Sequence, residues 1–276
     1  MSLAKTERRN PLSMDLDKME SAEMARLVIN ANHEAVTAVE NASESIALAV
    51  DAVAAAFEDG HRLFYVGAGT SGRLGVIDAA ECPPTFGVSY DQVQGIIAGG
   101  NERMFRAGEN DEDSYEKGCA AIAEYGVQKG DVVMGISAAG NAAFVVGALE
   151  SAKKLGCVTI GLTCNEGTKV LAASDIPIFT DTGAEILTGS TRLKAGTAQK
   201  IVLNTITTCA MTKTGKVYEN MMINLSPSNE KLERRVVRIV TEILSCSEER
   251  ARELLDKNGW VIKKAVEAAK AEGKNA

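Results

Sequence analysis

A glycine-rich turn between a buried strand and a helix constrains this chain more than any other feature. Residues 62–66 are an apolar and aromatic run that predicts a buried strand, and residues 74–80 predict a helix. The turn between them has the spacing G-x-G-x-x-G with two hydroxyl side chains. Glycines let backbone N–H groups approach an anion, and a helix start favours negative charge. The turn therefore predicts a phosphate-binding loop, with its ligands among Gly69, Thr70, Ser71, Gly72 and Arg73.

The same spacing also fits the fingerprint of a dinucleotide-binding loop. Such a loop normally sets bare glycines against a pyrophosphate, whereas Thr70 and Ser71 place hydroxyls where a single phosphate can be held. The local chemistry therefore favours a phosphosugar over a dinucleotide. A purely structural glycine turn is the third interpretation.

Composition limits the class of protein and the class of partner. The 276 residues are 45% hydrophobic and 24% charged, which suffices for a substantial core in an ordinary soluble protein. The net charge of −7 and the pI near 5.1 argue against a general nucleic-acid or anionic-membrane surface. The longest apolar stretch, residues 46–57, contains Asp51 and is shorter than the roughly 20 residues that cross a bilayer. We expect a small-molecule partner, and neither nucleic acid nor membrane.

Cysteine and histidine usage narrows the chemistry. The six cysteines form no CxxC pair and no signal-like segment opens the chain, so we expect a reduced cytoplasm. His33 and His61 are the two histidines, and both are expected to be surface or turn residues rather than catalysts or ligands. A histidine-based triad or a histidine-rich metal site is therefore not expected. We also expect no cofactor. Acid and base roles then fall to carboxylates, Lys or Tyr.

Strand-like runs alternate with helical segments along the middle of the chain. This order predicts an α/β fold with a doubly wound parallel sheet of five strands, right-handed crossovers and ligands at the carboxyl ends of the strands. The predicted strands after residues 62–66 are 93–98, 131–136, 157–163 and the edge strand 176–179. The predicted domains are an N-terminal helical segment (1–58), a phosphosugar domain (59–225) and a C-terminal helical unit (226–276).

The C-terminal helical unit is predicted from three short amphipathic segments. Ser247 begins one of them with a box-like cap, and residues 258–259 precede the last. The side chains predicted to face inward are Leu254, Leu255, Trp260, Val261 and Val266.

Several motifs resemble one known family. The signature of the N-acetylmuramic acid 6-phosphate etherases is similar to GAGTSGRLGVIDAAECPPTF at residues 67–86. The resemblance begins at residues 6–11, TERRNP, and resumes at residues 188–200, TGSTRLKAGTAQK, so that it covers nearly the whole chain. These etherases belong to the sugar isomerase (SIS) fold family and are related to glucokinase regulatory protein. The resemblance implies a SIS architecture, and a homodimer, because related SIS sites are commonly built with help from a second subunit.

The resemblance also implies two catalytic carboxylates, Glu81 and Glu109. Glu81 precedes two prolines, which are expected to end the helix and fix the direction of the carboxylate; the alternative is a solvated helix-terminal glutamate. The etherase segment Ala-Val-Glu-Gly-Ala-Glu-Asp places its catalytic glutamate on Glu109. In this chain Gly108 replaces the valine, and residues 110–111, Asn-Asp, replace Gly-Ala.

The implied reaction divides acid and base work between these carboxylates. A base removes the C2 proton of open-chain N-acetylmuramic acid 6-phosphate, lactate leaves from C3 with acid assistance, and water adds. We expect Glu109 to be the base and Glu81 the acid, and the sequence leaves the reverse assignment open.

A second loop departs from the etherase pattern. The etherases resemble Ala-Ser-Gly-Arg-Thr-Pro-Tyr at residues 138–144, whereas this chain has Ala139, Asn141 and Ala142 in place of the Ser, Arg and Thr. Ser137, Gly140 and Asn141 are the remaining candidate ligands. The loop resembles that of glucokinase regulatory protein, which binds sugar phosphates without catalysis. The alternative function is therefore a non-catalytic phosphosugar sensor.

Residues 183–194 are expected to open a long helix that ends near Lys213. Ser190 is the expected N-cap, and hydroxyls with cations near a helix start suit an anionic ligand, although capping with surface cations explains them equally. The family resemblance favours a pocket lined by Ser190, Thr191 and Lys194.

Overall fold

The computed structural model describes residues 3–108, 110–224 and 230–272. The chain folds into two compact units. The first holds the residues up to Ala80 together with Asp91–Ala210, and the second holds Glu81–Tyr90 together with the chain from Met211 onward. Glu109 lies outside the described residues, and the domain limits predicted from the sequence stay a prediction.

The first unit contains a five-stranded parallel sheet with the order β2-β1-β3-β4-β5. All five predicted strands are present with ends within one residue of prediction, and the last is an edge strand, so the predicted fold class is confirmed. The strands are β1 (Leu63–Gly67), β2 (Val93–Ile97), β3 (Val132–Ile136), β4 (Val158–Thr163) and β5 (Ile176–Phe179).

Helices cover both faces of this sheet, which explains why the central strands are nearly continuous apolar runs. The helices are α1 (Ser21–Asn41), α2 (Ser43–Glu58), α3 (Gly69–Phe86), α4 (Tyr115–Glu124), α5 (Ala143–Leu155), α6 (Lys169–Ala173) and α7 (Lys194–Lys213). On one face α4 and α5 bury Phe64, Val66 and Val133. On the other face α3 packs against Tyr65, and α2 lies against β3 and β5. Short 3-10 helices in the described residues are Lys5–Glu7, Pro11–Ser13, Leu16–Lys18, Asn101–Met104 and Asp111–Asp113.

The strand order reverses direction at β1. The chain leaves β1 for β2 on one side and then crosses to β3 on the other side, and Gly67 at the end of β1 registers with both Ile97 and Ile136. The loops that follow β2, β1 and β3 therefore meet at one edge of the sheet. This edge is the topological switch point, where open α/β sheets bind their ligands.

Helix α3 is longer than predicted. It begins at Gly69 and continues through Pro83 and Pro84 to Phe86, so the expectation that the prolines end the helix was wrong. Proline has a φ that suits a helix, and its cost is a lost N–H and a clash with the preceding turn. The end of the helix is retained because the N–H of Gly87 bonds the carbonyl of Pro83 at 2.9 Å.

The described part of the second unit contains the ends of α3 and α7, three whole helices and a short hairpin. The elements are β6 (Val217–Tyr218), β7 (Met221–Met222), α8 (Glu230–Leu244), α9 (Glu248–Lys257) and α10 (Ile262–Glu272). Ser247 caps α9 by accepting a hydrogen bond from the N–H of Arg250 at 3.2 Å, as predicted. Leu254, Leu255 and Val266 are buried as predicted, but Val261 is 39% exposed because Ile262 takes the inward position.

Candidate functional site

The first loop (residues 67–72) is a tight turn made possible by two glycines. A Cβ atom on Gly67 would lie 2.7 Å from the nitrogen of Gly72, and one on Gly72 would lie 2.6 Å from the oxygen of Gly67. The two backbones touch, so neither position has room for a side chain. The chain enters α3 directly at Gly69, and the first N–H groups of a helix have no acceptor within it. The loop can therefore present N–H groups and a helix dipole to an anion.

The two hydroxyl residues of the first loop have different surroundings. Thr70 is half-buried beside α7, since a Cβ atom on Gly196 would lie 3.6 Å from its methyl carbon. Ser71 is buried, and its hydroxyl donates to Oε1 of Gln199 at 3.1 Å. Gln199 was not among the predicted site residues, although it belongs to the motif at residues 188–200. The contact shows that α7 supports the first loop directly.

The second loop (residues 137–142) bonds mostly to itself and to the start of α6. Ser137 is buried, and its Oγ accepts a hydrogen bond from the N–H of Gly140 at 3.0 Å. The side chain of Asn141 donates to the carbonyl of Ala139 at 3.4 Å and accepts from the N–H of Lys169 at 3.3 Å. The polar side chains that remain in this loop therefore serve its own geometry.

The helix after the second loop begins without a side-chain cap. Ala142 is the N-cap residue of α5, and its methyl group can accept no hydrogen bond. Because β1 and β3 are neighbours, α3 and α5 start at adjacent strand ends. Two helix N-termini at one edge of a sheet can together hold an anion.

A cavity of about 150 Å³ lies between the first loop and the segment after β2. Arg73 lies on its wall, and Nε of Arg73 donates to the carbonyl of Met104 at 3.2 Å. Arg103 also lines the cavity and pairs with Asp111, with 2.5 Å between Nε and Oδ2. The lining residues are Ala68, Gly69, Arg73, Ala98, Arg103, Ala107, Gly108, Asn110, Asp111 and Glu112.

The Arg103–Asp111 pair occupies the space that a side chain at position 108 would need. A Cβ atom on Gly108 would lie 1.9 Å from Oδ2 of Asp111 and 2.4 Å from Nε of Arg103. The valine of the resembling segment would therefore collide with the ion pair. The ion pair therefore requires glycine at position 108, immediately beside the sequence position of Glu109.

Glu81 is exposed on α3 and belongs to the second unit. Cys82 beside it is buried, so the helix is anchored at the next residue while the carboxylate of Glu81 faces solvent. Its predicted catalytic role, like that of Glu109, stays a prediction.

The segment before α7 differs from expectation. The helix begins at Lys194, so Ser190 is not its N-cap. The carboxylate of Glu185 takes that place by accepting the N–H groups of Lys194 at 3.1 Å and Ala195 at 2.9 Å. Burial raises the pKa of Glu185, and the two N–H groups oppose that rise. Ser190 and Thr191 lie half-buried in the preceding turn.

Lys194 is nearly fully buried, and its ammonium pairs with Glu34 of α1 at 2.5 Å. The ammonium is therefore occupied by a protein carboxylate. Its role as a substrate ligand stays a prediction.

A buried carboxylate joins α3 to β1 and α7. Asp78 accepts hydrogen bonds from the hydroxyl of Tyr65 at 2.8 Å, from Nδ2 of Asn204 at 2.5 Å and from the hydroxyl of Thr207 at 3.3 Å. Burial raises the pKa of Asp78, although these donors act in the opposite direction. The network holds α3 in place behind the first loop, and nothing in the sequence distinguished Asp78 from a solvated helix residue.

The N-terminal segment is fastened to the second loop. Thr6 is fully buried, and Nδ2 of Asn165 donates both to its hydroxyl and to the carbonyl of Ala138, each at 3.0 Å. This contact gives the TERRNP motif at residues 6–11 a structural role beside the site.

Two kinds of feature are absent from the part of the chain that the structure describes. None of the helices in residues 3–108, 110–224 and 230–272 is long and apolar enough to cross a membrane. Within the same ranges, no cluster of three or more His, Cys, Asp and Glu side chains could hold a metal ion.

Comparison with known proteins defines the class. Residues 45–153 match the protein-family model for the glucokinase regulatory protein N-terminal SIS domain. The fold is similar to that of a solved phosphoheptose isomerase from Francisella tularensis, with a TM-score of 0.50 and 18% identity, over 72% of this chain and 100% of that one. The sheet order, the loop at the switch point and these matches define a SIS-fold protein.

Curated relatives then identify the family. An N-acetylmuramic acid 6-phosphate etherase from Mesorhizobium japonicum is 44% identical over 266 residues, which are 96% of this chain and 87% of the relative. One from Symbiobacterium thermophilum is 47% identical over 263 residues, which are 95% of this chain and 87% of the relative. The chain belongs to the N-acetylmuramic acid 6-phosphate etherase family, so the resemblance predicted from the motifs is confirmed.

Proposed function

We propose that this protein cleaves the D-lactyl ether of N-acetylmuramic acid 6-phosphate, giving N-acetylglucosamine 6-phosphate and D-lactate, in the recycling of cell-wall amino sugars. The observation that carries the proposal is the match of 44–47% identity over at least 95% of the chain to etherases that bear this name. The geometry of the first loop supports it, because it offers backbone N–H groups at a helix start to a phosphate.

The first loop holds the 6-phosphate in this proposal. The N–H groups at the start of α3 and the hydroxyls of Thr70 and Ser71 donate to the phosphate oxygens. Arg73 lies on the wall of the adjoining cavity, where its guanidinium adds positive charge. The second loop contributes the backbone and the N-terminus of α5, since its side chains bond within the protein.

Two carboxylates perform the chemistry. Glu109 removes the proton at C2, which is acidic because it adjoins the C1 aldehyde of the open-chain sugar, and Glu81 protonates the ether oxygen as the C3–O bond breaks. D-lactate leaves, and water adds its hydroxyl to C3 and a proton to C2 of the unsaturated aldehyde. One water is consumed, and no oxidant or metal is needed for the balance.

The test of the proposed reaction measures D-lactate released from N-acetylmuramic acid 6-phosphate. We expect release by the wild type, and a loss of about 100- to 10,000-fold in Glu81→Gln and in Glu109→Gln. Glu124→Gln, an exposed glutamate at the end of α4, is the matched control and should retain activity. Full activity in either catalytic variant would remove that residue from the mechanism.

Isotope exchange separates the base from the acid. In D2O the C2 proton of N-acetylglucosamine 6-phosphate exchanges only if the base is present. We expect Glu109→Gln to lose this exchange and Glu81→Gln to keep it, and the opposite result would reverse the assignment.

A non-catalytic phosphosugar sensor is the second candidate. The observation that favours it is the second loop, whose polar side chains are engaged internally, in a region that matches the glucokinase regulatory protein SIS domain. A sensor would release no D-lactate from N-acetylmuramic acid 6-phosphate, yet the sugar phosphate would raise its melting temperature.

We further infer that the protein is a cytoplasmic homodimer. Ile29 and Val36 lie seven residues apart on one face of α1 and are 64% and 45% exposed, and Leu48 of α2 is 60% exposed. All six cysteines are free, which fits a reducing compartment. Sedimentation should give a dimer, and Ile29→Glu with Leu48→Glu should shift it towards monomer if this surface is the interface.

A further inference from the structure

Gln199 has an unusual environment for a glutamine. It lies on α7 and is only 1% exposed, and its Oε1 accepts the hydroxyl of Ser71 at 3.1 Å. Its Nε2 is buried and has no hydrogen-bond partner among the residues that the structure describes. Buried amide groups are normally paired, so an unpaired one requires an explanation. The explanation must also account for the contact with the first loop.

The two ends of a glutamine amide are nearly equal in shape and opposite in hydrogen-bonding character. When Oε1 faces Ser71, the serine hydroxyl gives its proton to the glutamine. After a rotation of the amide by half a turn, Nε2 donates to Oγ of Ser71, and the serine proton becomes free for another acceptor. The same rotation pairs Nε2 with Ser71 and takes the serine donor from Oε1, so one end of the amide bonds the serine in each orientation.

We propose that Gln199 is a positioning residue that switches the hydroxyl of Ser71 between an internal acceptor and the phosphate of the ligand. The proposal rests on the sugar-phosphate binding of the proposed function. Without ligand, Ser71 donates to Oε1 of Gln199, so that the buried hydroxyl is paired. With a phosphate in the first loop, the amide turns, Nε2 donates to Oγ of Ser71, and the hydroxyl donates to a phosphate oxygen.

Other buried unpaired groups do not offer this chemistry. The hydroxyls of Thr168 and Thr241 also have no partner among the described residues. Thr168 lies against Gly140 of the second loop. A threonine hydroxyl donates and accepts through the same oxygen, so its rotation does not replace a donor atom by a different acceptor atom, as the rotation of an amide does. Among these buried groups, Gln199 is the one that bonds a hydroxyl of the first loop.

The test compares two substitutions at this position by calorimetric titration with N-acetylglucosamine 6-phosphate. Gln199→Glu keeps the shape but can only accept when ionised, so it holds the serine proton and should weaken binding by about 10- to 100-fold. Gln199→Met removes both functions and should weaken binding by a smaller factor, about 3- to 10-fold. In both variants, kcat should stay within about twofold of the wild type at saturating substrate while KM rises, because the phosphate is bound in the ground and transition states alike.

Ser71→Ala supplies the control for a simple charge effect. If Gln199 acts through the serine hydroxyl, the loss caused by Gln199→Glu should shrink several-fold in the Ser71→Ala background. An equal loss in both backgrounds would show plain electrostatic repulsion of the phosphate and would overturn the proposal. Wild-type affinity in the Gln199→Glu variant would also overturn the proposal.

A pH series keeps the test valid if Gln199→Glu is less stable. A protonated carboxyl has an O–H donor, so the affinity of this variant relative to the wild type at the same pH should recover as the pH falls, whereas Gln199→Met should show no such recovery. A constant ratio across pH would contradict the mechanism. If the wild type itself bound no 6-phosphate sugar, the proposed function would fail as well, which separates that outcome from failure of the glutamine switch alone.

Discussion

The first and second loops occupy equivalent places and are built in opposite ways. Each follows a central strand, β1 or β3, and each leads into a helix at the switch point. The first loop closes by direct backbone contact between Gly67 and Gly72. The second closes through side chains, because Ser137 accepts from Gly140 and Asn141 bonds on both sides.

The difference shows that two loops at one edge of a sheet can contribute different groups to phosphate binding. Backbone closure shapes the first loop without using its hydroxyls, although Ser71 donates to Gln199 of α7. Side-chain closure uses the polar groups of the second loop to hold its own shape. The first loop is thus the main anion site in our proposal, and the second mainly adds a helix N-terminus.

The largest expected effect comes from Gly72→Ala in the first loop. The new methyl group would lie 2.6 Å from the oxygen of Gly67 and 2.8 Å from a carbon of Ile97, so the turn must open. We expect about 3 kcal/mol of lost stability and loss of sugar-phosphate binding, measured by urea unfolding and calorimetric titration. Gly60→Ala, outside the loop, is the control: its Cβ meets nothing within 4 Å, and only its φ of 80° is strained, which costs about 1–2 kcal/mol. Equal binding in both variants would contradict the role of backbone closure.

The second loop should respond less to Gly140→Ala. The residue has a φ of 78°, and a Cβ atom would lie 2.5 Å from the methyl carbon of Thr168. We expect a loss of about 2 kcal/mol in unfolding free energy and a smaller loss of phosphate affinity than in Gly72→Ala. Adding Thr168→Gly should recover the steric part, because it removes the Cβ atom at 2.6 Å as well as the methyl carbon at 2.5 Å. A larger binding loss than in Gly72→Ala would reverse the ranking of the two loops.

The helices that follow the two loops, α3 and α5, should contribute to stability with a different dependence on pH. Asp78 anchors α3, and burial raises its pKa above the ordinary value of 3.8, whereas the buried residues of α5 are apolar. The folded state therefore binds this proton more tightly than the unfolded state, and stability falls as the pH rises from about 4 through the raised pKa. Asp78→Asn should remove that fall, with about 1.4 kcal/mol for each pKa unit of difference.

Unfolding in urea between about pH 2 and 8 measures this effect as the difference between variant and wild type, and the range includes the pH below about 4 where the Asp175 contribution is lost. Asp175→Asn is a control for which the pH dependence of stability should have the opposite sign. Burial raises the pKa of Asp175, but bonds from Lys153 and Thr159 outweigh it and the pKa is lowered. The contribution of Asp175 is therefore lost as the pH falls. A pH-independent difference for Asp78→Asn would contradict the expectation.

The smallest expected effect is an increase in stability, from a substitution at the start of α5. Ala142 caps α5 without a side-chain hydrogen bond, so Ala142→Ser should supply an acceptor for the first N–H groups. We expect about 1 kcal/mol of added stability, seen as a melting temperature higher by about 2–4 °C. Ala143→Ser, one residue inside the helix, is the control and should not stabilise. A loss of stability in Ala142→Ser would show that the site is too tightly packed for the hydroxyl.

Much of the fold followed from local patterns. The five apolar runs and the helical segments between them were enough for the parallel sheet, because strands buried on both faces have a simple signature. The prediction for α3 was wrong at Pro83 and Pro84, since a local rule about proline does not include the hydrogen bond from Gly87 that keeps the last turn. Ser190 was wrong as N-cap because Glu185, distant by several residues, supplies the capping oxygen.

Local sequence patterns were enough to predict the α/β class, the glycine turn after β1 and the family, because each depends on residues that are adjacent or ordered along the chain. Tertiary structure decided the partners of those residues. Gln199 beneath Ser71, Glu34 on Lys194 and Asp111 on Arg103 join positions whose contacts depend on how helices and loops pack. A hydrogen bond or an ion pair is fixed by distance and direction in space, and these exist only once the chain has folded.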